Sequence, residues 1–215
     1  KDLMNLRLPK WPQMLVTGES VTVEQAKEII FRTDPFIYEG TGGNNEEFET
    51  AYRKAAGLDR FPENSMNNLE FVWLVRDKIN FINTEYIRNN WGSSCFIYGP
   101  HGWCSPAGNI HFIDNVGKWP YVTEILFEWE LLAKEFPFLD LTATLMSGEQ
   151  CEDNTIPLVN IRVVNGVATL EEPNLNFPSA YSRKDCELLS RSEQGLPAEW
   201  YKEFAERIKK VTDSL

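Results

Sequence analysis

LVNIRVVNGVATL, residues 158–170, contains two short runs of alternating polarity, Leu158–Val164 and Val167–Leu170, joined at Asn165-Gly166. Asn-Gly is the dipeptide best suited to the paired positive φ angles of a two-residue hairpin turn, so the runs are expected to pair antiparallel. Upstream, FLDLTATLM (138–146) alternates in the same way and predicts another strand. Between 119 and 136 the period changes to that of a helix. Trp119-Pro120 is expected to open it, since proline is tolerated in a first turn. Val122, Ile125, Leu126, Trp129, Leu132 and Phe136 supply its apolar face, Glu124, Glu128 and Glu135 are assigned elsewhere, and Pro137 stops it.

Further towards the N-terminus, Cys95–Tyr98 and Asn109–Asp114 read as two strands joined by a loop. Met14-Leu15-Val16 reads as the strand end of an extended arm around Pro9, Trp11 and Pro12. Thr22-x-x-Gln25 is a capping-box pattern that starts a helix with Val23, Ala26, Ile29 and Ile30 on one stripe, ended by Asp34-Pro35. Helices are also expected over 46–57, 68–82 and 198–211, and 172–196 is expected to be irregular. Hairpin, helix and three strands in this order define an α+β fold: an antiparallel sheet with helices packed mainly on one face, in a single domain spanning 1–215. Lys1-Asp2-Leu3 precede Met4, a candidate natural start.

The chain has 32 acidic and 21 basic residues and a formal net charge of −11. Such a balance speaks against a general nucleic-acid surface, which needs clustered Lys and Arg. It suits solubility, or docking onto a basic partner. No run approaches the length of a membrane span. Four cysteines without a CxxC pair are read as free thiols in a reducing cytoplasm, and no apolar signal segment follows the N-terminus.

Both histidines lie in YGPHGWCSPAGNIHFID (98–114). Cys95, His101, Cys104 and His111 are chemically right for tetrahedral zinc, but their spacing lacks the usual short cysteine pair, and no metal or other cofactor is expected. Cys104 and His101 are also a candidate nucleophile and base, with Asp114 as orienter, although nothing places Cys104 at a helix N-terminus. Four of the seven tryptophans, Trp11, Trp91, Trp103 and Trp119, lie beside glycine or proline rather than in helical stripes. A loop tryptophan either covers the core or offers a flat stacking face. Tyr98, His101, Trp103, Asn109 and Lys118 are therefore the candidate ligand-binding rim, with Trp103 stacking on a planar anionic ligand and Lys118 holding its phosphates. The alternative is a structural hairpin with Trp103 over the sheet edge.

The segments LPKWPQMLVTGESVTVEQA, GPHGWCSPAGNI, NVGKWPYVTEI and FPFLDL resemble uncharacterised accessory proteins of tailed bacteriophages, over roughly residues 4–171. That resemblance transfers no catalytic residue. It implies a phage protein in the host bacterial cytoplasm that counters host defence by binding. The resulting expectation is a non-catalytic protein that sequesters a nucleotide-like ligand. The alternatives are an acidic module that inhibits a basic host protein, and a Cys/His-dependent hydrolase. A homo-oligomer is compatible with each.

Overall fold

The computed structural model describes residues 2–33, 102–116, 120–147, 156–173 and 196–212. The expected helices over 46–57 and 68–82, the expected strand Cys95–Tyr98 and most of the irregular stretch 172–196 lie outside these residues. The chain divides into two compact units, residues 1–26 with 95–192 and residues 27–94 with 193–215.

The first unit is built on a five-stranded antiparallel sheet. Its strands are β1 (Gln13–Gly18), β2 (His111–Asn115), β3 (Asp140–Met146), β4 (Pro157–Val164) and β5 (Val167–Glu171), in the order β2-β1-β3-β4-β5. The expected hairpin is present: Val164 pairs with Val167, and Asn165 and Gly166 have φ of 52° and 78°. Two positive φ angles in a two-residue loop are those of a type I′ turn, whose twist matches the strands it joins. Gly166 abuts Pro137, so the turn seats on the end of the helix that precedes β3.

That helix, α2 (Val122–Glu135), packs on β4 and β5. Strand alternation sorts the sheet into two faces. Leu141, Ala143 and Leu145 of β3 pair with Val163, Ile161 and Val159 of β4, and all six are buried. Burying each such aliphatic side chain stabilises by about 1.5–3 kcal/mol for the larger ones. Trp129 of α2 is fully buried, and its Nε1–H donates to Sδ of Met14 on β1 at 3.5 Å. Thr142, Thr144, Asn160 and Arg162 take the other face.

Three details differ from the sequence reading. Pro120 does not open α2: the helix begins at Val122, where the Glu124 carboxylate accepts a hydrogen bond from the Tyr121 N–H at 3.3 Å. This capping contact fixes the start one residue beyond Tyr121. Glu128 does not leave the apolar side; it is 0% exposed. At 100° per residue it falls close to Leu132 and Ile125, both core residues, so the packed stripe includes it. A buried carboxylate is tolerable only when partnered, and Glu128 is engaged in such an interaction. Val23 stays exposed, since the first turn of its helix precedes the packed part.

The helix α1 (Val23–Thr33) starts as its capping box predicts. Thr22 Oγ1 accepts from the Gln25 N–H at 3.1 Å, and Gln25 Oε1 accepts from the Thr22 N–H at 2.9 Å. The boundary between the units falls within α1, after Ala26. In the second unit, residues 27–33 of α1 pack against α3 (Ala198–Thr212). Phe31 and Phe204, both buried, have ring centroids 4.9 Å apart. Around them Lys27 pairs with Glu203 at 2.9 Å, and Arg207 grips Glu28 at 2.6 and 3.3 Å while lying 3.7 Å over the Phe31 ring. The carboxylates are close to half exposed, so each pair contributes about 1 kcal/mol at most, and the aromatic contact dominates.

Trp129→Ala is expected to destabilise the protein by about 3–5 kcal/mol, measured as a fall in the urea midpoint at constant m-value, because it empties a fully buried site. Trp129→Phe should lose clearly less; equal losses would mean that the cavity is not what matters.

Candidate functional site

The quoted loop is a tight hairpin pinned to its neighbour. The Ser105 N–H donates to the Asn109 carbonyl at 2.9 Å, and the Gly108 N–H to the Ser105 carbonyl at 2.9 Å. The Ser105 hydroxyl oxygen accepts from the Asn109 N–H at 3.1 Å. At the base, Cys104 bridges Ile110 and the His111 N–H donates to the Trp103 carbonyl at 3.2 Å. The expected partner strand 95–98 is outside the described residues, and residues 103–105 take the pairing seen here.

The tip is anchored in turn to the β1–α1 connection. The Val21 N–H donates to the Gly108 carbonyl at 2.8 Å. Gly108 has φ +87°, and a Cβ there would lie 2.1 Å from the Val21 carbonyl oxygen. Only glycine allows both that dihedral and that approach. The Ser20 hydroxyl donates to Asn109 Oδ1 at 3.5 Å, so an exposed pair, Ser20 and Asn109, sits at the tip. The Nδ2 donors of Asn109 have no partner among the described residues.

The other candidates divide. Tyr98, His101 and Lys118 lie outside the described residues. Trp103 is 4% exposed and meets Trp129 nearly edge-on, with centroids 5.5 Å apart. Its ring is therefore part of the core behind the hairpin, and little of either face is open to a ligand. Asn109 remains at the surface as the candidate rim residue that the structure describes there. Ser20 and Ser105 join it, although they are far apart in sequence. The signal that points to them is the SPAG turn, whose glycine requires a backbone at close range.

Cys104 is buried, and its burial pushes the thiol up to about 12. A thiolate nucleophile needs a depressed pKa, so the environment acts against that role. Asp114, the suggested orienter, is on β2, paired with Met14 of β1. Among the described residues no group of three or more His, Cys, Asp and Glu converges as a metal site, and Cys95 and His101 are not among them.

Sequence reading did not single out a second polar feature. His111, Thr17, Thr142, Arg162 and Thr169 are register partners across all five strands, on the face away from α2. Arg162 is committed within it. Its Nη1 donates to the Leu141 and Val163 carbonyls at 2.8 and 3.1 Å, and its Nη2 lies 2.5 Å from Asp140 Oδ1. The row thus holds the sheet together more than it offers charge. Among the described residues no helix is long and apolar enough to cross a membrane.

Compared with known protein families, with curated proteins and with solved structures, the chain has no match.

Three outcomes follow from the hairpin. Native protein at neutral pH should resist iodoacetamide at Cys104 and react after denaturation; rapid native labelling would contradict the buried thiol. The folded thiol ionises above its ordinary value of 9.0, so its share of stability is complete below about pH 9 and declines as pH rises towards 12. Gly108→Ala should destabilise by more than about 1 kcal/mol in a thermal melt, since both the dihedral and the Val21 carbonyl oppose it.

Proposed function

We propose that the chain is a non-catalytic binding protein that sequesters a small nucleotide-like ligand at the tip of the 102–111 hairpin. The observation that carries this reading is the seating of Gly108 on Val21, which holds the exposed Ser20–Asn109 pair in a fixed place. Hydrogen-bonding groups ordered before the ligand arrives lose little freedom on binding. The Asn109 amide donors suit the acceptor-rich edge of a base or a phosphate. Tyr98, His101 and Lys118, the other candidates named from the sequence, lie outside the described residues, and Trp103, at 4% exposure, supports the loop from behind instead of stacking on the ligand. The high pKa of Cys104 favours binding over thiol chemistry. In the phage setting that the sequence resembles, such a protein acts in the host cytoplasm by removing a signalling nucleotide.

A second reading has its own support. Glu130 and Glu135 of α2, and Glu171 and Glu172 at the end of β5, are exposed on a chain of net charge −11. These carboxylates suit a basic host protein, with an affinity that falls steeply as salt screens the charges.

Freshly purified protein, denatured and analysed by mass spectrometry, is expected to release a nucleotide-like compound, and Asn109→Ala protein to release much less. Equal release from both would remove Asn109 from the site. No release, together with capture of a basic protein that dissociates by 0.5 M salt (on the order of a few Å of Debye length), would replace the first reading by the second.

A further inference from the structure

The N-terminal arm contains a tryptophan in a conformation that tryptophan rarely adopts. Trp11 has φ 57°. For a bulky side chain the left-handed region is a strained outlier, kept only where the surroundings enforce it. Here they do: Leu8 and Pro12 on either side are buried, and the Pro12 carbonyl accepts from the Val116 N–H at 2.9 Å. The arm is anchored on both sides of Trp11, and the residue between is left-handed.

The indole is 37% exposed. Trp103, Trp129 and Trp200 are buried and each has a ring partner. Trp11 has no ring or hydrogen-bond partner among the described residues. Two cations close to it in sequence are likewise without a carboxylate partner among the described residues. Lys27, Arg162 and Arg207 are each tied to a carboxylate, whereas Arg7 and Lys10 are exposed and have no such partner among the described residues. No acidic residue occurs between Asp2 and Glu19, so this stretch is locally positive on an acidic chain.

We infer that Arg7, Lys10 and Trp11 form a contact site for a nucleoside polyphosphate, with the base on the Trp11 ring and the phosphates on Arg7 and Lys10. The inference rests on the reading above for its class of ligand and adds residues that the hairpin does not supply. An open indole face stacks on any base, and a guanidinium can clasp a phosphate with two parallel hydrogen bonds while an ammonium acts as a point charge. The strained backbone and a ring that is 37% exposed occur at the same residue.

The test is fluorescence anisotropy of N-methylanthraniloyl-ATP titrated with the full chain and four variants. Trp11→Asn removes the ring but keeps a residue that tolerates the left-handed region. It is expected to weaken binding about tenfold or more, and Trp11→Phe to retain most of the affinity. Arg7→Gln with Lys10→Gln, at two exposed positions, should weaken binding and flatten its salt dependence. Asn109→Ala separates the two proposals. If Asn109→Ala loses binding while the arm variants match wild type, the arm inference falls and the hairpin reading stands. If the arm variants lose binding and Asn109→Ala does not, the arm is supported and the hairpin reading falls. A wild-type chain that binds neither this probe nor inorganic triphosphate overturns both.

Discussion

The first unit depends on the place of one indole. Trp129 projects from α2 into the sheet, donates to the Met14 thioether of β1 and meets Trp103 of the hairpin edge-on. A helix, a central strand and a loop are thereby fixed by one side chain. The hydrogen bond to sulfur is weak by itself. Its importance is that an indole N–H cannot be buried unpaired without penalty, so Met14 determines how the ring enters. Trp103 then closes over it, and a loop that looked free in the sequence becomes the back wall of a core.

Much of this was legible in the residues. The Asn165-Gly166 turn, the alternation of 138–146, the capping box at Thr22 and the final helix are all found where local chemistry places them, because each depends on neighbours within a few positions. The position of β1 was not legible. Its short apolar run gives no sign that it lies between β2 and β3, two strands that come much later in the chain. Glu128 was misplaced for a related reason: charge suggested the surface, while helical angle put it beside Leu132 and Ile125.

The site shows the same division. Asn109 was legible as a rim residue, though as the first residue of a strand that in fact begins at His111, and its neighbour Ser20 depends on the contact of Gly108 with Val21, which no spacing reveals. Trp103 and Trp11 illustrate the limit most clearly. Both are loop tryptophans beside proline or glycine, and composition treats them alike. One is buried against Trp129, and the other is partly exposed on a left-handed backbone. What separates them is tertiary packing: Trp103 has a second aromatic ring beside it, and among the described residues Trp11 has none.

The type I′ turn also has a consequence for the order in which the sheet assembles. Strands β4 and β5 are joined by two residues, so their pairing needs almost no loop to be closed, and β3 is close behind in sequence. Such a meander forms early, since short loops lose little chain entropy. Strand β1 must wait until a distant part of the chain returns to it, and among the described residues β2 pairs only with β1. The turn that defines the fold in sequence is therefore also its starting point in time, and the hairpin that carries Asn109 is among the last parts to find its place.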